Sequence, residues 1–157
     1  CLGLPLGDLD KMRIAVTGAR YVLGLILFVF GLNGFLGFLE QPPPPEAAGA
    51  FMGALVESGY VMTLVKAAEV VIGAMLLAGR WVPLALTALV PISVNIALYH
   101  VVLDLSMPGT AVAVSVFALN VFLMWAYRAY YEPLKTAKAV PAVGAASEPA
   151  AVVPSAA

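Results

Sequence analysis

Four long apolar runs decide most of what this chain can become. They extend from about Ile14 to Leu39, Tyr60 to Ala78, Val82 to Leu103 and Thr110 to Tyr127. Crossing about 30 Å of hydrocarbon takes roughly 17–25 residues of α-helix, and a helix satisfies its own backbone polar groups where no water can. Each run therefore reads as one membrane-spanning helix. Composition leaves little alternative, because 62% of the 157 residues are hydrophobic and only 11% charged. Hiding that much apolar surface from water would take a core larger than a chain of this length encloses. The predicted fold class is all-α: an integral membrane four-helix bundle. No small-residue cleavage site follows the first run, which is read as a span and not as a signal peptide.

Charges in the short connections predict the orientation. Lys11, Arg13 and Arg20 flank the start of the first run, Arg80 sits between the second and third, and Arg128, Lys135 and Lys138 follow the fourth. The other two connections hold Glu40, Glu46, Glu57 and Asp104 and no Lys or Arg. The positive-inside rule then puts both termini on the cytoplasmic side. Trp81, Trp125, Tyr127, Tyr130 and Tyr131 supply an aromatic belt at that level.

Within the first outer connection, Gln41-Pro42-Pro43-Pro44-Pro45 reads as stiff polyproline. Ala47 to Ser58 reads as a short helix with Ala48, Phe51, Met52 and Leu55 on one side. It is too short to span and is expected to lie in the membrane interface. Residues 1–11 form an amino-terminal extension, 12–134 the bundle and 135–157 an Ala/Pro-rich tail without helical periodicity, expected to be disordered.

Several chemistries find no support. A formal net charge of −1 gives no reason to expect nucleic acid. The single cysteine, Cys1, permits neither an internal disulfide nor a Cys-x-x-Cys pair. One histidine, His100, cannot ligate a haem from both sides, and no His/Cys/carboxylate cluster has metal-ligand spacing. No phosphate-binding loop is present, and no nucleophile–base pair can be named.

What remains is a set of polar residues inside apolar runs, where each is costly and therefore a functional candidate. Lys66 and Glu69 share one face of the second run, with Gly73 continuing it. Asn33, Asn95 and His100 fall at comparable depth, and Asn120 lies near the middle of the fourth run. Asn33, Lys66, Glu69, Asn95 and His100 thus define a candidate polar pocket in the outer half of the bundle. Bland readings stand beside it. Lys66 and Glu69 form a structural ion pair, the asparagines join helices, and His100 bonds to Asp104 four residues on. Asn95 and His100 also lie roughly 140° apart on an ideal helix. They face one point only if the helix distorts, for which Pro91 gives a reason.

Three segments carry a resemblance: Gly31-Leu32-Asn33-Gly34-Phe35, Lys66-Ala67-Ala68-Glu69 and Gly79-Arg80-Trp81-Val82-Pro83-Leu84-Ala85-Leu86. With Asn95-Ile96-Ala97-Leu98-Tyr99-His100 and Trp125-Ala126-Tyr127-Arg128, their order resembles the DoxX family over roughly Met12 to Leu134. The resemblance implies a compact four-helix bundle in a bacterial inner membrane. It also implies a link to quinone-dependent or thiol-linked oxidoreduction, with a quinone head near Lys66, Glu69, Asn33 and His100. With no cofactor intrinsic to the chain, the expected role is a membrane subunit assisting an oxidoreductase. The alternatives are an accessory subunit packed against other membrane-protein subunits and, behind it, a small transporter built around Lys66 and Glu69.

Overall fold

The structure, a computed structural model, describes residues 6–40, 43–135 and 137. Five α-helices follow one another: α1 (Leu6–Leu36), α2 (Glu46–Glu57), α3 (Val61–Ala78), α4 (Val82–Leu98) and α5 (Met107–Ala126). A π-helical segment, Tyr99–Asp104, prolongs α4, and a 3-10 segment, Arg128–Lys135, follows α5. Four helical stretches are long and apolar enough to cross a membrane: Asp10–Leu36, Val61–Ala78, Val82–Asp104 and Met107–Ala126. The protein is an all-α, multi-pass membrane bundle.

The helices pack in a ring in chain order. α1 touches α3 and α5, and α4 closes the ring by touching the same two. Leu23, Leu27, Ile72, Leu76, Leu86 and Leu123 are buried along the axis. α2 packs against the π segment and α3, and its Ala48 is buried. The expected tail beyond Lys135 lies, except for Ala137, outside the described residues, as do Cys1, Gln41, Pro42 and Lys138.

Helix ends follow local chemistry. α1 begins at Leu6, so residues 6–11, read as an extension, are the first turns of the same helix. No helix breaker separates them from the span, and Lys11 pairs with Asp8 at 3.3 Å. The far end of α1 stops at Leu36 because Gly37 turns left-handed at φ 60°. At 31 residues α1 is the longest helix; at about 1.5 Å per residue it exceeds the hydrocarbon and projects beyond it.

The α3–α4 link is only three residues long, and Gly79 opens it at φ 67°. Leu76 O there accepts from the backbone N–H of Gly79 at 3.2 Å and from Arg20 Nη1 of α1 at 2.9 Å. Arg20 therefore caps α3 with a cation where the helix dipole favours one. Nearby, Arg80 lies over the Trp81 ring at 5.6 Å and Arg128 over Trp125 at 4.8 Å. Tyr131 donates its hydroxyl to Pro83 O at 3.0 Å, and burial raises the phenol above its ordinary range, keeping it protonated.

The closest approach in the bundle is between α1 and α3. A Cβ at Gly73 would stand 2.7 Å from Phe28 N and 2.9 Å from Gly24 O, and one at Gly31 would stand 2.9 Å from Val70 N. Backbone meets backbone, so van der Waals contact holds helices that no hydrophobic effect drives together in lipid. Gly73→Ala is expected to destabilise the detergent-solubilised protein by about 1–3 kcal/mol through overpacking, although alanine is the better helix former. At Gly18 an added Cβ meets nothing within 4 Å, so Gly18→Ala is expected to leave the melting temperature unchanged or raise it. Equal melting temperatures for the two variants would contradict this account.

Candidate functional site

Lys66 and Glu69 are brought together as their spacing predicts. Lys66 Nζ donates to Glu69 Oε2 at 2.8 Å, with the Glu69 side chain 4% exposed and that of Lys66 22% exposed. Both sit in the α1–α3 seam. A Cβ at Gly34 would stand 2.5 Å from Lys66 Cγ and Cδ, and one at Gly31 3.0 Å from Glu69 Cβ. Glycines on α1 thus leave the room that the lysine stem occupies. The pair is enclosed by packing, which favours a structural role over a ligand-facing one.

Asn33 and Asn95 are occupied or directed elsewhere. Asn33 Oδ1 accepts the backbone N–H of Leu39 at 2.6 Å, and its carbonyl accepts that of Gly37 at 2.8 Å. Its side chain thus holds the chain as it leaves α1, satisfying the N–H of Leu39 beyond the helix and not one of the last carbonyls. Asn95 is exposed on the outer side of α4. The five residues expected to line one pocket therefore divide among a helix seam, a helix end, an exposed helix face and a separate cluster at His100. Helical phase, which depth along the sequence ignores, separates them.

His100 belongs to the most organised polar cluster at the α2 end. The distortion anticipated near Pro91 lies a few residues later, in the π turn, where Leu105 N–H reaches His100 O at 3.0 Å. Such turns are frequent at functional sites because they re-aim side chains. Leu105 then closes the segment in a left-handed conformation at φ 52°. His100 Nδ1 lies 2.7 Å from Asp104 Oδ2, as the four-residue spacing suggests. Ser106 Oγ donates to that same carboxylate oxygen, and Thr110 Oγ1 donates to His100 O at 3.0 Å.

Gly109 makes this arrangement fit. A Cβ there would stand 2.6 Å from both His100 Nδ1 and Ser106 Oγ, and 2.8 Å from Asp104 Oδ2. The Tyr99 ring meets His100 edge-on at 5.0 Å, and Phe51 of α2 stands 6.0 Å from Tyr99. With the carboxylate on Nδ1, a neutral imidazole carries its proton there and presents Nε2 as an acceptor. Ser106 is bonded to the carboxylate and not to the imidazole, so the cluster is no nucleophile–base pair. It is an imidazole held in place through Nδ1.

A groove of about 700 Å³ runs down the α1–α5 side of the bundle. Val22, Ile26 and Phe30 of α1 line one wall, and Ala111, Ser115 and Ala118 of α5 the other. Its outermost α5 residues, Ala111 and Val112, follow Gly109 and Thr110 in sequence, but helical phase turns the groove away from the face of α5 that meets His100. From Ala111 to Phe122 it is about 16 Å long at 1.5 Å per residue.

One buried contact gives Asn120 the helix-joining role that the sequence allows, with a partner, Ser93, that it does not name. Asn120 Nδ2 donates to Ser93 Oγ at 3.0 Å, and Ser93 passes its own proton to Val90 O at 3.0 Å. Both residues are buried, and this bond joins α4 to α5 in mid-bundle. Ser93 follows Leu86 and Leu89 along the buried face of α4, a polar interruption that points inward from sequence alone.

Among the described residues no group of three or more His, Cys, Asp or Glu side chains gathers in a way that could hold a metal ion. Comparison with protein-family models, with curated proteins and with solved structures finds no match in any of the three.

If the seam pair is structural, Lys66→Met alone should destabilise the bundle by about 3–5 kcal/mol, because it strands a buried carboxylate. Lys66→Met combined with Glu69→Leu removes both charges and should recover most of that loss, as read by denaturation in micelles. A double variant as unstable as the single one would show that the two charges are not coupled.

Proposed function

We propose that this chain is a membrane subunit that binds an amphipathic small molecule of the quinone class and presents it to an oxidoreductase partner. The observation carrying this reading is the carboxylate-fixed imidazole of His100, which keeps a ring nitrogen outside that contact. A hydroxylated ring is suited to His100, and an apolar tail to the exposed apolar side chains beside it, Val101, Val102 and Leu105. Neutral Nε2 accepts a hydrogen bond from a quinol hydroxyl, whereas an imidazolium would donate to a quinone carbonyl. Asp104 and Ser106 hold the ring in place, so little rotamer freedom is lost when a ligand bonds to it.

The resemblance to the DoxX family supports the oxidoreductase link and a bacterial inner membrane as the setting. The distribution of Lys and Arg supports cytoplasmic termini, with the His100 end on the outer side. Asn33, Asn95, Lys66 and Glu69 leave the proposed ligand site in this form. They retain structural or unassigned roles.

The test is binding of a short-tailed quinol to purified protein in micelles. His100→Leu should weaken it about tenfold, the value of one lost hydrogen bond of about 1.4 kcal/mol. Asp104→Asn, which removes the carboxylate that fixes the ring, should weaken it comparably while leaving His100 in place. Unchanged affinity in both variants would sink the proposal and leave the non-catalytic accessory subunit as the better reading.

A further inference from the structure

We infer that the face of α1 bearing Arg13, Ile14, Thr17, Gly18 and Tyr21 holds an anionic phospholipid, independently of the quinol reading. These residues line a concavity of about 360 Å³ at the end of the bundle opposite α2. All five are exposed, and Gly18 forms its floor, since nothing lies within 4 Å of the position its Cβ would take. Ile14 and Tyr21 stand one turn to either side and provide apolar walls.

Arg13 and Thr17, one turn apart on this face, offer a guanidinium and a hydroxyl to a phosphodiester. Among the described residues Arg13 makes no ion pair, in contrast to Lys11, which is bonded to Asp8. Thr87 and Ser115 return their hydroxyls to carbonyls four residues back, at 2.9 and 2.7 Å. Thr17 makes no such bond among the described residues, so its hydroxyl is available to a ligand. Arg20 lies beyond, 4.6 Å over the Tyr21 ring, and adds positive charge although its Nη1 is bonded to Leu76 O. From Arg13 to Tyr21 the face descends about 12 Å at 1.5 Å per residue. That depth takes a lipid from headgroup through glycerol to the first methylenes. A guanidinium binds the phosphate bidentately, and the missing side chain at Gly18 admits the chain.

A second copy of the protein is the poorer occupant. Two copies with the same membrane orientation, related by a two-fold axis along its normal, would meet through the same face. Arg13 would then approach Arg13, a like-charge contact that an anionic headgroup avoids.

Native mass spectrometry of the full chain, titrated in detergent with phosphatidylglycerol or phosphatidylcholine, tests the assignment. The wild type should retain phosphatidylglycerol in preference to phosphatidylcholine. Arg13→Gln should lower that retention on the order of fivefold, the worth of one basic residue near an anionic headgroup. Gly18→Leu should lower it at least as much with every charge intact, while its melting temperature stays that of the wild type. Lys11→Gln should change neither. The inference is overturned if Lys11→Gln costs as much as Arg13→Gln, since attraction is then diffuse. Equal retention of the two lipids, unchanged retention in Gly18→Leu, or a dimer that Gly18→Leu abolishes would overturn it too.

Discussion

The contact of Gly73 on α3 with the backbone of α1 around Gly24 and Phe28 sets the spacing on which the rest of the bundle depends. In lipid, apolar side chains gain nothing by leaving one apolar medium for another, so close packing and hydrogen bonds must hold helices together. Small residues concentrate that packing in one seam. With α1 seated on α3, Arg20 reaches the carbonyl end of α3 and Gly34 passes over the stem of Lys66. The seam thus places two cationic side chains as well as two helices.

The same medium explains why the buried polar side chains within the spans have partners, with Asn120 Oδ1 the exception among the described residues. Lys66 has Glu69, Ser93 has Asn120 and Val90 O, and Asn33 serves the backbone of Leu39. An unpaired polar group in hydrocarbon costs several kcal/mol, so these bonds are conditions of folding before they are anything else. Function is better sought where a polar group is fixed in place yet retains an unused atom. His100 meets that description, because Asp104 engages one ring nitrogen and Gly109 clears space for the arrangement.

The π turn links this local chemistry to topology. Widening one turn of the helix after Leu98 shifts the direction in which the following side chains point. It also delivers Asp104 and Ser106 to the start of α5, where Thr110 ties the two helices through His100 O. A chain that continued α4 as a regular helix would lack that meeting point.

How much of this was legible in advance depends on the distance over which each feature is determined. The sequence by itself determined the four spans, because hydrocarbon thickness and helical rise act on any apolar run of sufficient length. It also determined the pairs Lys66–Glu69 and His100–Asp104, since residues three or four apart meet on any helix. Shared depth, however, did not make Asn33, Asn95 and His100 neighbours. Rotation about each helix axis is set by packing, and the π turn and the bond from Leu39 to Asn33 are responses to contacts and chain ends that no local pattern encodes. Arg20 on Leu76 O, Asn120 on Ser93 and the glycine bed of Lys66 were decided only by the tertiary structure, because each joins residues of different helices whose relative phase exists only once the bundle is packed.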